Sequence, residues 1–116
     1  MKNSKMAETF NRVGTSLTTT SITDVYQAPN VASTNRAIVL SCMVANKKAA
    51  AVNITLQITD STNVGISTWA YSVPVPSNSS LESVVNKLVL KNGEKIRATA
   101  GEANQLDITV SSLEIT

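Results

Sequence analysis

Along the stretch AVNITLQITD, Val52, Ile54, Leu56 and Ile58 alternate strictly with Asn53, Thr55, Gln57 and Thr59. A period of two marks a strand with one face in a core and the other in water. Just upstream, AIVLSCMVAN puts Ile38, Leu40, Cys42 and Val44 on one face, while Val39 and Met43 make the other face apolar too. That pattern predicts a central strand, covered on both sides or lying at a subunit contact. GISTWAYSVPV is expected to carry Trp69, Tyr71 and Val73 on one side, and EKIRATA to turn Ile96, Ala98 and Ala100 inward. QLDITVSSLEI should bury Leu106, Ile108 and Val110, then slip phase at Ser112 so that Leu113 and Ile115 continue the buried face, as across a β-bulge.

Turn signals separate these runs. NKKAAA, residues 46–51, reads as a hairpin turn with its two lysines in water, and DSTNVG, 60–65, is dense in turn formers. Asn92-Gly93 is the strongest two-residue hairpin signal, because both positions tolerate the positive φ of a type I′ turn. In SVPVPSNSSLE neither Pro74 nor Pro76 can donate to a ladder, so this piece is expected at a sheet edge, with Ser77 to Ser80 turning the corner into the next strand. LESVVNKLVL and a weaker run, TSLTTTSITDVYQAP, complete the set. About seven or eight strands at this spacing predict an all-β fold, an antiparallel β-sandwich of jelly-roll or Ig-like type.

The N-terminus reads differently. In KMAETFNRVG, Met6, Phe10 and Val13 fall at i, i+4 and i+7, which fits a short amphipathic helix, while an extended arm fits equally. The expected division is an arm over residues 1–14 and a β-sandwich domain over 15–116. An apolar tail orders only by packing on something, so Met6, Phe10 and Val13 are the expected interface residues, and removing residues 1–13 should leave the sandwich folded.

Composition supports this picture and removes several chemistries. The 116 residues fit one domain, and Ser and Thr make up about a quarter of them. There is no histidine, which takes away the commonest general base and the usual partner of a nucleophilic Ser or Cys. Cys42, the one cysteine, forms no internal disulfide and cannot build a closed zinc site; it reads as a small buried hydrophobe. Asp60, Glu82, Glu94, Glu102, Asp107 and Glu114 are scattered singly and read as solvated surface. No metal, cofactor or catalytic site is expected.

Net charge is +2, with six basic and two acidic groups in residues 1–48 against four and six in 49–116, hence +4 and −2. That is too little for nucleic-acid binding by counterion release. No apolar run approaches the ~20 residues that span a membrane, and MKNSKMAETF lacks the apolar core of a signal peptide, so the chain is expected to be made in a cytoplasm without a membrane partner. Trp69 and Tyr71, if exposed together, would offer a carbohydrate-binding face; buried, they would plug the core.

Five segments carry a family likeness: ETFNRVGTSLTT, TDVYQAPNVASTNRAIVLSCMVAN, VNITLQITD, VPVPSNSSLE with KLVLKNGEKIRATA, and LDITVSSLEIT. In these the chain resembles small virion structural proteins of tailed bacteriophages, especially those of marine and cyanobacterial hosts. Where members commonly have Tyr-Thr-Ala-Pro and a Gly-containing turn, this chain has Tyr26-Gln-Ala-Pro29 followed by Asn-Val-Ala-Ser. The resemblance implies a β-sandwich carried in many copies on a phage particle. Expected partners are copies of itself and other virion proteins, such as the major capsid protein. The function it implies is capsid decoration, with a neck, tail or fibre component, or a carbohydrate-binding module, as the alternative.

Overall fold

The computed structural model describes residues 7–84 and 86–116. Within them are nine strands and no helix: β1 (Glu8–Leu17), β2 (Thr23–Gln27), β3 (Arg36–Asn46), β4 (Val52–Thr59), β5 (Gly65–Val75), β6 (Ser80–Glu82), β7 (Leu88–Lys91), β8 (Lys95–Ala100) and β9 (Leu106–Ile115). They form two antiparallel sheets, one in the order β1-β9-β3-β6 with β7 also paired to β3, the other β2-β8-β4-β5. The pairs nest: β1 with β9, β2 with β8, β3 with β6 and β7, and β4 with β5 at the innermost turn. One long ribbon of paired strands folded over itself gives this nesting, which is the jelly-roll arrangement rather than the Ig-like one.

Alternation places the core where expected in β4, β8 and the first half of β9, but not in β3. There Val39 turns inward with Cys42 and Val44, while Ile38 and Leu40, expected on the same face as those two, do not, because an extra residue at Leu40 shifts the phase between Val39 and Ser41. Val52, Ile54, Leu56, Ile96, Ala98 and Ala100 from one sheet meet Val39, Cys42, Val44, Leu106, Ile108 and Val110 from the other, all buried. Burial also pushes the Cys42 thiol pKa up, against a smaller lowering by Ser83.

Nesting explains where local turn signals mislead. NKKAAA and Asn92-Gly93 do turn the chain, but the first leads from β3 to β4 and the second from β7 to β8, strands of different sheets, so neither closes a hairpin. At the second turn only Gly93 has positive φ, 71°, and Glu94 N–H donates to the Lys91 carbonyl at 3.1 Å, so it is not type I′. DSTNVG is the hairpin turn, joining β4 to β5; the Asp60 side chain accepts from the N–H groups of Thr62 and Val64. Pro74 lies in β5 at the edge of its sheet, and the chain turns after Pro76 into β6 on the opposite sheet, so SVPVPSNSSLE is a corner.

Two further expectations are corrected. Residues 8–14 are neither arm nor helix; they belong to β1, paired with β9 from Glu8 opposite Ile115 to Leu17 opposite Leu106, so the boundary expected after residue 14 falls inside a strand. Nor does β9 slip at Ser112. The bulge sits in β3, where Val39 pairs with Ser112 and Ser41 with Ser111, leaving Leu40 as the extra residue. Ser112 therefore stays on the inner face and buried, while Leu113 and Ile115 pass to the outer face.

Candidate assembly surface

The register of the β1-β9-β3-β7 sheet lines up four apolar side chains on its outer face. Phe10 lies opposite Leu113, Leu113 opposite Ile38, and Ile38 opposite Val89. Phe10 is 76% exposed and Val89 56%, and the bulged Leu40 stands beside the row. Phe10, Arg12, Leu40 and Ser111 help to line a shallow groove of about 420 Å³ there. On one side runs a row of Glu8, Ile115, Arg36 and Lys91; on the other, Arg12, Ser111 and Ser41. The result is an apolar stripe across four strands, its two ends exposed, flanked by the charged side chains of Glu8, Arg36 and Lys91 on one side and of Arg12 on the other.

Of the residues expected to hold an interface, Phe10 stands on this surface. Val13 lies three positions along β1 and so on the opposite, inner face, half-buried against the core. Met6 lies outside the described residues. Ile38, Leu113 and Val89 escape the sequence reading because only the pairing register brings them level with Phe10.

Trp69 and Tyr71 are not one platform. The β4–β5 ladder is irregular on both sides of Leu56, which pairs with Ala70, and Ser72 has a φ of 49°. These irregularities separate the two rings: Trp69 packs against the core beside Val84 and Leu88, while Tyr71 is 80% exposed. The Trp69 indole N–H is buried and has no acceptor among the described residues.

Two of the carboxylates read as solvated hold the scaffold behind the surface. Glu82 accepts from the Ser41 hydroxyl and from the N–H groups of Cys42 (2.9 Å) and Val84 (3.1 Å), fixing the bulged strand just past Leu40. Burial alone raises its pKa; the hydrogen bonds from Ser41, Cys42, Val84 and Ser83 outweigh that and hold it below the ordinary glutamate value. Glu114 accepts from the Tyr26 hydroxyl and from the Asn11 amide, and the Ser112 hydroxyl donates to Tyr26 Oη at 3.0 Å. That cluster joins β2 of one sheet to β9 of the other. Asp24 pairs with Lys95 and Arg97, Asp107 with Lys47, and Glu102 with Lys48. Among the described residues no three His, Cys, Asp or Glu side chains gather as a metal site, and no helix is long and apolar enough to cross a membrane.

The sequence matches no protein-family model and no curated protein. Solved structures share the fold. A chain of the disulfide-linked pili that are Bacillus endospore appendages aligns with a TM-score of 0.58 at 13% identity, over 100% of this chain and 94% of that one. A chain from the acidic-stable capsid of Helicobacter pylori bacteriophage KHP30 aligns with a TM-score of 0.56 at 8% identity, over 97% and 92%. At such identities the likeness is one of fold, and neither neighbour comes from a marine or cyanobacterial phage. The same two-sheet body occurs in a pilus and in a phage capsid, each matched over nearly its full chain.

Proposed function

We propose that the chain is a non-enzymatic structural subunit of a phage virion, carried in many copies on the capsid surface and bound to the shell through the Phe10–Leu113–Ile38–Val89 row. The observation that carries this reading is the row itself: side chains from four strands, on the outer face of a sandwich whose inner face already forms a complete core. Its fold-level likeness to a chain of a phage capsid supports the setting. A shallow apolar face suits a subunit whose weak contacts are multiplied by the symmetry of a particle.

A filament subunit is the second reading, favoured by the likeness to the pilus chain. Those pili are described as disulfide-linked, whereas the one cysteine here is buried in the core, so a filament of this chain would need another kind of link. The neck, tail or fibre alternative remains a matter of placement on the particle. Carbohydrate binding has less support, since the irregular β5 parts Trp69 from Tyr71.

The test is binding to purified particles stripped of their surface proteins. Wild-type chain should saturate a fixed set of sites, and Val89→Ser should lower its affinity by about threefold to tenfold, the worth of one partly buried aliphatic side chain. Saturable binding that Val89→Ser and Phe10→Ser leave unchanged would rule out this face, and chain that forms filaments by itself under the electron microscope would favour the second reading.

A further inference from the structure

The edges of the two sheets are unequal. β6 and β7 are three and four residues long, and β2 is five residues with a register shift after Asp24. β5 is long but carries Pro74, three ladder irregularities and the positive φ of Ser72. Each has a feature that discourages pairing with another chain. β1 has none of these: it is ten residues without proline or lysine, and its ladder to β9 runs without a shift.

Its backbone is also positioned for a partner. The Ala7 carbonyl accepts from Thr116 N–H and the Leu17 carbonyl from Asn104 N–H, both at 2.9 Å, so odd-numbered residues direct their backbone groups toward β9. The N–H and C=O groups of Glu8, Phe10, Arg12, Gly14 and Ser16 then point to the edge of the sheet, where no strand among the described residues pairs with β1. Arg12 N–H donates to the Oδ1 of neighbouring Asn11 at 2.9 Å, a side chain standing where a strand carbonyl would lie.

We propose that this edge pairs antiparallel with β1 of a second copy, with Phe10 on the two-fold axis. The inference rests on the reading of the chain as an assembling subunit and names one of its contacts. Charge fixes the register. With Phe10 opposite the second copy's Phe10, Glu8 of each copy faces Arg12 of the other on the outer face, and Thr9 faces Asn11 on the inner one. Edge-directed residues meet edge-directed residues, as an antiparallel ladder requires. A register centred on Arg12 would instead set two guanidinium groups against each other. In the Phe10-centred pair the two apolar rows become one, from Val89 through Ile38, Leu113 and Phe10 across the axis to their counterparts. Such an interface is small, so the pair forms at high concentration, as on a particle where many copies are held together.

Sedimentation equilibrium of the full chain over a wide concentration range tests the pairing. Wild type should associate to a dimer. Arg12→Glu sets two glutamates opposite each other twice in every dimer, and Glu8→Arg sets two arginines; each should weaken association by about tenfold or more, while the double swap should recover to within about threefold of wild type. Both side chains are exposed, so thermal unfolding of the three variants should match wild type. A wild-type chain that stays monomeric, single variants that associate normally, or a double swap no better than the singles would each overturn the pairing. Growth beyond a dimer that survives all three variants would mean head-to-tail contact between other edges and overturn it equally. Association without binding to particles would remove the virion reading and leave the pairing standing; particle binding by a chain that never dimerises would do the reverse.

Discussion

Tyr26 is 5% exposed, and its hydroxyl lies between the Glu114 carboxylate and the Ser112 hydroxyl, a polar group shared by the two sheets. Burial first, and then the hydrogen bond to Glu114, push its phenol pKa far up, so it stays a donor. Tyr26→Phe strips that donor from Glu114 and the acceptor from Ser112; unfolding in urea should show a loss of about 1–3 kcal/mol with an unchanged m-value. In a double-mutant cycle with Ser112→Ala the losses should fall short of additive. Glu82 makes the matching prediction in pH. Its folded pKa lies below the ordinary 4.5, so the unfolded chain binds the proton more readily, and the stabilisation is complete above that value and lost as pH falls through the folded pKa. Glu82→Gln should flatten the fall of unfolding free energy below about pH 4.5, only in part, because Asp24 and Asp107, both lowered chiefly by hydrogen bonds from Lys95 and Ser16, add slope of the same sign. Neither role shows in the sequence: Tyr26 and Glu114 are 88 positions apart, Ser41 and Glu82 41, and nothing local to either marks its partner.

Strands were legible wherever one face meets the core, because burial writes its own period into β4, β8 and the first half of β9. The sequence pattern failed where geometry depends on a neighbour. A bulge adds a residue to one strand of a pair, so the phase change seen around Ser112 reflects an outward-facing Leu113 and Ile115 meeting Ile38 and Arg36, while the extra residue is Leu40. Turn chemistry shows that the chain reverses but not which sheet it enters, and so Asn92-Gly93 carries a hairpin signal while joining strands of different sheets. Gly93 is required there all the same, with φ at 71° and a hypothetical Cβ meeting Asn30 Oδ1 at 2.6 Å; Gly93→Ala should lower the melting free energy by about 1–2 kcal/mol. The N-terminal spacing of Phe10 and Val13 suited a helix as well as a strand, and long-range pairing with β9 decides between them. Removing residues 1–13 therefore deletes six of the ten β1–β9 pairs and the half-buried Val13. Instead of leaving the sandwich intact, it should cost about 2–5 kcal/mol, read from the denaturation midpoint.

At the scale of the molecule, one sheet turns two separable features outward: an apolar row across its strands and, at its end, a strand edge that is unpaired among the described residues, with Phe10 common to both. Neither is visible from composition, since exposed apolar residues become a surface only when register aligns them. The separation can be measured on particles. Val89 lies at the far end of the row from β1, so Val89→Ser touches shell binding alone, whereas Arg12→Glu acts at the contact between copies. If both features are used, wild type should bind particles cooperatively, because each bound copy offers its β1 edge to one neighbour. Val89→Ser should shift the whole binding curve to higher concentration and keep its steepness, as a loss in the per-site term does. Arg12→Glu should lower the Hill coefficient toward one and leave the number of sites unchanged, and Tyr71→Ala, on the opposite sheet, should leave the curve as it was. A curve that is already non-cooperative for wild type would mean that copies meet the shell without meeting each other.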